Sequence, residues 1–230
     1  MRASQGPSQG TSRHTPMRSG EPRFRRSSTR SAVVPAFLAA GFLILLVGVL
    51  TNGPLVRLDL FVNSRVPGRD DGPQVLHDVA MSVITLANPP DTAFALVVVV
   101  LVWGLLSRSW WPVLAAAPAV VALTSTVLLF KWLVDRPGPA GSGPVGSFGA
   151  FPSGHTATAL VCAATLATLV GFVRPRWAIA ARLVAAAWAV LVAWSVVWVH
   201  YHYLNDVLGS FLLGSLVLWL CYRWPWSLHR

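Results

Sequence analysis

The sequence predicts an all-α membrane protein, a polytopic bundle of six transmembrane helices with interfacial helices between the first and second spans. Composition and length carry this prediction. Of the 230 residues, 54% are hydrophobic and only 11% are charged, whereas a soluble domain carries about 25% charged residues. A membrane crossing takes about 20 apolar residues, so this length holds about six crossings and no second large soluble unit. An ordinary water-soluble globule is therefore excluded.

Six apolar runs are long enough to be candidate spans. They occupy residues 32–50, 92–107, 112–134, 155–173, 177–199 and 204–222. Between the first two runs, residues 55–66 and 75–86 have mixed apolar and polar faces and are bounded by Gly-Pro and Pro-Pro breakers. That pattern is typical of helices lying in the membrane interface. Tryptophans near the run ends support the boundaries, because indole rings favour the headgroup level; they are Trp110, Trp111, Trp132, Trp177, Trp198, Trp224 and Trp226.

Composition divides the chain into three parts. Residues 1–31 are rich in Ser, Gly, Pro and Arg without a hydrophobic period, which predicts a disordered basic cytoplasmic tail. The apolar run that follows is longer than a signal-peptide core and lacks a small-residue cleavage site, so we expect an uncleaved first span; a transit peptide is the alternative. Residues 32–222 form the predicted six-span membrane domain, and residues 223–230 a short cytoplasmic C-terminal tail.

The distribution of charge predicts the orientation. Six spans place both termini on one side of the membrane. With the N-terminus inside, thirteen of the eighteen Lys and Arg residues are cytoplasmic, and seven of the eight acidic residues lie outside. This follows the positive-inside rule and accounts for the net charge of +10 without a basic binding face. We therefore expect a multi-pass protein of the cell membrane with cytoplasmic N- and C-termini, and no nucleic-acid partner.

Under this orientation, two polar clusters lie near span ends on the outer side. The first contains Pro152-Ser153-Gly154-His155, where the fourth span begins. Serine is a favoured N-cap, glycine allows close backbone approach, and the free N–H groups with the helix dipole form an anion site that suits a phosphate. The alternative is a capped helix start with an interfacial histidine.

The second cluster precedes the sixth span and contains His202 and Asp206, four residues apart. At this spacing on a helix, the carboxylate meets one imidazole nitrogen and leaves the other facing a site, as an oriented nucleophile or base. A surface contact between the two side chains is the alternative. His155, His202 and Asp206 formally supply three metal ligands, but we expect no metal and no cofactor.

Two cations lie at the end of the third span. Lys131 is the only lysine among the eighteen Lys and Arg residues. It provides a point charge for a phosphate, or it is a lysine at a helix end whose ammonium group snorkels to the membrane surface. Arg136 offers either a fork for phosphate oxygens or a partner for Asp135. Because both cations and the two histidine motifs reach the same predicted membrane face, a shared functional site is favoured over four separate structural roles.

In order and spacing, the three blocks Lys131-x4-Arg136-Pro137, Pro152-Ser153-Gly154-His155 and His202-x3-Asp206 resemble those of the type 2 phosphatidic acid phosphatase (PAP2) superfamily of membrane lipid phosphatases. The resemblance covers about residues 32–222. It implies a metal-independent phosphomonoesterase or diphosphatase that uses a phosphohistidine intermediate. It also implies a role for each matching residue. His202 attacks phosphorus, Asp206 orients His202 and stabilises its charge, and His155 protonates the leaving group. The phosphoryl oxygens are held by Lys131, Ser153 and the Gly154 N–H.

Two positions depart from the family pattern. Gly138 stands where the first block usually has its arginine, for which Arg136 is the candidate substitute. Val196 stands where the third block has another, for which His200 is the candidate partial substitute. Loss of an arginine from a phosphoryl-transfer site costs orders of magnitude in rate in some enzymes. The alternative to an active phosphatase is therefore a catalytically impaired PAP2-like protein that binds lipid phosphates without hydrolysing them efficiently.

The sequence therefore predicts an integral-membrane lipid phosphatase acting on the extracytoplasmic face. Its expected partners are the bilayer and a membrane lipid substrate, of the polyprenyl diphosphate or phosphatidic-acid type. A transporter is disfavoured because inverted repeats and broken helices are not visible, and the related vanadate-dependent haloperoxidases are soluble. No pattern in the sequence specifies the lipid tail, the headgroup or the oligomeric state.

Overall fold

A computed structural model describes residues 28–67, 72–139 and 149–223 of the chain. Within these ranges the ordered elements are helical. They are α1 (Ser28–Leu50), α2 (Pro54–Arg65), α3 (Gln74–Leu86), α4 (Pro89–Ser107), α5 (Trp111–Val134), α6 (Gly154–Val173), a 3-10 turn (Pro175–Trp177), α7 (Ala178–Trp198) and α8 (Leu204–Arg223). The all-α prediction is confirmed.

The six predicted spans correspond to six described helices that are long and apolar enough to cross a membrane: Ala32–Leu50, Pro89–Ser107, Trp111–Val134, Gly154–Val173, Pro175–Trp198 and Leu204–Tyr222. Local chemistry explains several boundaries. Proline occupies the first turn of α4 and of α5, where its missing N–H costs no hydrogen bond. Both helices end in a left-handed residue, Arg108 and Asp135, which turns the chain out of the helix.

The centre of the bundle is α6. It packs against α4, α5, α7 and α8. Half of the residues in its apolar 18-residue segment are buried, compared with 17% in the corresponding segments of α1 and α4. The outer helices carry large exposed apolar side chains, such as Phe37, Leu106 and Ile179. Such faces are unfavourable in water and suit contact with lipid tails.

The two short helices lie where the interfacial helices were predicted. Helix α2 packs against α1 and α8, and α3 packs against α7. Helix α3 buries Ala80, Val83 and Ile84, whereas the buried residue of α2 is a carboxylate, Asp59. Their position at the membrane interface stays a prediction.

The predicted disordered tail falls largely on residues 1–27, which lie outside the described residues, as do residues 224–230 of the C-terminal tail. Helix α1 begins at Ser28, four residues before the predicted start of the first span at residue 32. Because successive spans alternate in direction, the C-terminal ends of α1, α5 and α7 and the N-terminal ends of α4, α6 and α8 meet at one end of the bundle, here called the site end.

Candidate active site

The start of α6 is fixed to the start of α8 by hydrogen bonds. Ser153 is the N-cap of α6, and its hydroxyl accepts the Thr156 N–H at 3.4 Å. The Ser153 N–H donates to the Asp206 carbonyl at 3.1 Å, and the Ser210 hydroxyl donates to the carbonyls of Ser153 and Asp206, each at 2.8 Å. These contacts bring two motifs that are about 50 residues apart in sequence into one buried corner.

The first-turn N–H groups of Gly154 and His155 have no partner within their own helix, as at any helix N-terminus. A Cβ atom at Gly154 would lie 3.5 Å from Cγ of Pro89 and 3.7 Å from Cε of Lys131. The glycine therefore keeps open the space between the backbone and the lysine side chain. An anion in that space meets the helix dipole and the ammonium together.

His202 and Asp206 form the pair that the four-residue spacing predicted. Nδ1 of His202 lies 3.5 Å from Oδ2 of Asp206, longer than a formed hydrogen bond, and this nitrogen has no other hydrogen-bond partner among the described residues. The same carboxylate oxygen accepts the Tyr203 N–H at 2.9 Å. The arrangement holds Nδ1 towards the carboxylate and leaves Nε2 available.

The two motif histidines lie next to each other. The ring centroids of His155 and His202 are 6.4 Å apart, with the ring planes inclined at 61°. A reacting atom approaches its partner at about 3 to 3.5 Å, so one phosphoryl group is able to contact both rings. The sequence predicted that these residues meet at one end of the bundle, and the structure places them there.

Lys131 reaches the same corner from the last turn of α5. Its Nζ donates to the Gly149 carbonyl at 2.6 Å. Gly149 is required at this point because a Cβ atom there would lie 2.6 Å from the Arg136 nitrogen and 2.7 Å from Cα of Asp135. The chain after α5 is thereby folded closely against the residues that precede α6.

Arg136 is held by two carboxylates. Its Nη1 donates to Oδ1 of Asp206 and its Nη2 donates to Oδ2 of Asp59, each at 2.6 Å. The guanidinium also lies 4.4 Å from the centre of the Tyr203 ring. Burial lowers the pKa of Arg136, but the attraction of Asp206 and Asp59 outweighs this effect, so its pKa is raised. The guanidinium thus contacts Asp59 and the carboxylate behind His202, neither of which the sequence analysis predicted as its partner, and its role as a phosphate ligand stays a prediction.

Sequence reasoning missed two residues of this network. Asp59 on α2 is 1% exposed, and its Oδ1 accepts the Asn205 N–H at 2.8 Å while its Oδ2 accepts the Asn205 Nδ2 at 2.9 Å. Nδ2 of Asn205 also donates to the Leu55 carbonyl at 2.7 Å. The available signal was one acidic residue in the mostly apolar segment 55–62, where Arg57 is the other charged residue.

The two departures from the family pattern lie in different environments. Gly138 is partly exposed in the segment after α5. Val196 is fully buried in an apolar cluster with Ala80, Ile84 and Val207. A charged side chain at position 196 would therefore enter an apolar core.

An apolar cavity opens beside the lysine. It has a volume of about 410 Å³ and lies between α4, α5 and α6, with Lys131 and Gly154 at its polar end. Its other lining residues are mostly apolar: Pro89, Pro90, Ala93, Leu123, Thr124, Val127, Leu128 and Thr158. Arg136 lines a different cleft, next to the ends of α1 and α5. The cavity combines a cationic mouth with a hydrocarbon-like wall.

Among the described residues, no group of three or more His, Cys, Asp or Glu side chains is arranged to hold a metal ion. The formal set of His155, His202 and Asp206 is therefore not arranged as a metal site in this structure. Metal independence of the reaction stays a prediction, which a chelator tests directly.

Comparison with known proteins identifies the family. A family model described as the PAP2 superfamily matches residues 114–230, which include all three motif blocks. The fold is similar to the crystal structure of a transmembrane PAP2-type phosphatidylglycerolphosphate phosphatase from Bacillus subtilis, with a TM-score of 0.75 and 23% sequence identity, over 85% of this chain and 98% of that chain. No curated protein shows significant similarity to the chain. Since the family model covers just over half of the sequence, the chain belongs to the PAP2 superfamily.

Proposed function

We propose that this protein is an integral-membrane lipid phosphatase that hydrolyses a phosphate monoester or diphosphate through a phosphohistidine intermediate. One observation carries the proposal: the rings of His155 and His202 lie 6.4 Å apart, with Asp206 behind one ring and Lys131 at the mouth of an apolar cavity. A nucleophile, a second imidazole and a cation thus face one position where a phosphoryl group fits.

In the first step, Nε2 of His202 attacks phosphorus while the bond from phosphorus to the leaving oxygen breaks, and cationic His155 donates its proton to that oxygen. The incoming phosphate supplies the negative charge that a cationic imidazole needs beside Lys131. Asp206 supports the positive charge that develops on His202. Lys131, Ser153 and the Gly154 N–H hold the phosphoryl oxygens as charge moves onto them.

In the second step, a water molecule attacks the phosphohistidine. His155, now neutral, takes the proton from the water, the phosphorus–nitrogen bond breaks, and inorganic phosphate leaves with His202 restored. Each step is a single displacement at phosphorus. Dividing the hydrolysis in this way replaces one high barrier by two lower ones.

The substrate class follows from the cavity. A lipid places its phosphate at the level of Lys131 and Gly154, and its tail fits the apolar wall formed by α4, α5 and α6. The similar Bacillus subtilis protein is described as a phosphatidylglycerolphosphate phosphatase, which also favours a lipid phosphate. Polyprenyl diphosphate and phosphatidic-acid-type lipids are the proposed substrates.

Phosphate release by the purified protein in detergent, from a panel of lipid phosphates and diphosphates, tests the proposal. Excess chelator is present throughout. We expect release from at least one lipid without added metal. Release that stops when chelator is added would favour a metal-dependent hydrolase instead.

We expect that filling the cavity weakens lipid binding selectively. Ala93 of α4 lines the cavity, so Ala93→Phe places a ring where the tail lies. The KM for a long-chain lipid phosphate should rise about 10-fold, equivalent to about 1.4 kcal/mol of lost binding free energy. The KM for a short-chain phosphate with the same headgroup should not change. Val102→Phe, at a half-exposed position of the same helix outside the cavity lining, is the control. Equal effects of Ala93→Phe on both substrates would contradict this location for the tail.

We also propose that the site end faces the extracytoplasmic side of the cell membrane, with both termini in the cytoplasm. The excess of basic residues on the opposite side supports this orientation. A reporter active only in the cytoplasm should therefore function when fused to either terminus, and a periplasm-specific reporter should not. Activity of the periplasmic reporter at both termini would reverse the proposed orientation.

A second candidate function is favoured by the contacts of Arg136. Both of its terminal nitrogens are engaged by carboxylates, and positions 138 and 196 carry no arginine. Lys131 then remains the principal cation for the phosphoryl oxygens, which suits a protein that binds lipid phosphates without efficient hydrolysis. Tight binding of a lipid phosphate with no phosphate release from the same lipid would establish this function.

Restoring the family's arginine with Val196→Arg should not raise turnover. Because Val196 lies in an apolar cluster, the buried charge is expected to cost about 3 kcal/mol or more of stability. In detergent, the unfolding temperature should be clearly lower for Val196→Arg than for the wild type, and only slightly lower for Val196→Ile. Higher turnover at unchanged stability would show that position 196 is able to reach the site.

A further inference from the structure

Asp59 is a buried carboxylate that the mechanism above does not use. It comes from α2, far in sequence from the three motif blocks, and is 1% exposed. Burial of an ionised carboxylate costs several kcal/mol unless charges and hydrogen bonds compensate it. Here both oxygens have partners: Oδ1 accepts from the Asn205 backbone, and Oδ2 accepts from Arg136 and the Asn205 amide.

These contacts connect Asp59 to the nucleophile. The guanidinium of Arg136 divides its two terminal nitrogens between Asp59 and Asp206, at 2.6 Å each. The second oxygen of Asp206 accepts the Tyr203 N–H and faces Nδ1 of His202 at 3.5 Å. Asp59, Arg136 and Asp206, here called the carboxylate–arginine chain, therefore end at the imidazole.

The net charge of this chain matches what the reaction needs. Two carboxylates and one guanidinium leave one negative charge beside His202. When His202 attacks phosphorus, its ring becomes positive, and a low-polarity surrounding makes a fixed negative charge effective there. Without Asp59 the carboxylate–arginine chain is neutral, so the negative charge that stabilises the cationic ring of His202 is lost.

Asp59 also determines which atoms Arg136 contacts. If Nη2 loses its acceptor, the guanidinium is left with Asp206 as its charged partner, and a fork-like pairing engages both carboxylate oxygens. One of them is the oxygen that faces His202. Resting on the proposed function, we infer that Asp59 is a positioning residue for the nucleophile: through Arg136 it keeps Asp206 oriented and the carboxylate–arginine chain negative.

A purely structural role predicts different behaviour. Asp59 also accepts a first-turn N–H of α8, a contact that stabilises a helix N-terminus. If that were its whole role, replacing it would loosen the start of α8 and expose His202, without lowering the nucleophilicity of the ring.

The experiment compares Asp59→Asn and Asp59→Glu with Asp78→Asn, which removes an exposed carboxylate from the neighbouring short helix α3. Three properties of each variant are measured: its steady-state kinetics, the reactivity of His202 and its unfolding temperature in detergent. The first is kcat and KM for a lipid phosphate. The second is the rate at which diethyl pyrocarbonate modifies His202, followed by mass spectrometry at about pH 8, above the usual titration range of histidine.

We expect Asp59→Asn to lower kcat about 10- to 100-fold, the range found for the outer partners of metal-ligating histidines, with KM nearly unchanged. Modification of His202 should slow in the same variant. Asp59→Glu keeps the charge and should recover part of kcat and of the modification rate, and Asp78→Asn should match the wild type.

Two results would overturn the inference: wild-type kcat and reactivity in Asp59→Asn, or faster modification of His202 together with a lower unfolding temperature. The second result identifies a structural anchor. If the wild-type protein hydrolyses no lipid phosphate, the proposed function fails, yet the modification rates still decide the role of Asp59 because they require no turnover.

Discussion

Replacing His202 with alanine is expected to reduce phosphate release from a lipid phosphate by at least about 1,000-fold. The proposed covalent intermediate forms on this ring, and alanine leaves no atom that can take its place. Among the described residues, the neighbouring His155 is the other imidazole in the corner, but it lacks the carboxylate that orients His202. The wild type should yield a phosphorylated His202 when rapidly quenched with substrate, and His202→Ala should yield no phosphoprotein.

The matched control is His200→Asn, two residues earlier. Nε2 of His200 lies 3.2 Å from the carbonyl of Val66, a residue at the end of α2 that is not part of the proposed site. Its backbone is left-handed, with φ of 58°, a conformation that asparagine tolerates better than alanine. This variant should keep most of the activity. Substantial hydrolysis by His202→Ala would exclude the phosphohistidine route and leave direct attack by water.

The fold could be predicted from the sequence because its main signal is local. A run such as 155–173 is apolar enough to identify a span by itself, and the proline and left-handed residues at the ends of α4 and α5 follow rules that act within a few residues. The helix boundaries differ from the predicted ones by no more than four residues.

The corner formed by His155, Ser153, His202 and Asp206 was also predictable, because each pair lies within four residues on one helix start. Their meeting followed from the alternation of the spans. The partners of Arg136 were not predictable, since Asp59 lies 77 residues away in sequence. Only the packing of α2 against α8 brings them together.

Val196 illustrates a second limit. The motif spacing indicated a missing phosphate ligand at this position, but the rotation of α7 decides where the side chain points. The residue faces Ala80 and Ile84 of α3 and Val207 of α8. Spacing along one helix does not reveal which neighbour occupies that face, because the neighbour is set by tertiary packing.

Replacing His155 with alanine is expected to slow hydrolysis of an alkyl lipid phosphate by about 100- to 10,000-fold, the usual contribution of a positioned acid or base. The size of the loss should depend on the leaving group. An alkoxide requires a proton as it departs, whereas the phenolate of a nitrophenyl phosphate departs without one. The first step should therefore be largely preserved with the nitrophenyl substrate.

The second step still requires His155 to accept a proton from water, whatever the first leaving group was. His155→Ala should therefore release a burst of nitrophenolate close to one equivalent per protein and accumulate phosphorylated His202. His77→Ala on α3, outside the proposed site, should show no such accumulation. Equal losses on both substrates without a burst would mean that His155 positions the phosphoryl group and transfers no proton. The burst separates the two roles because positioning is needed in both steps, whereas protonation of the leaving group is needed only in the first.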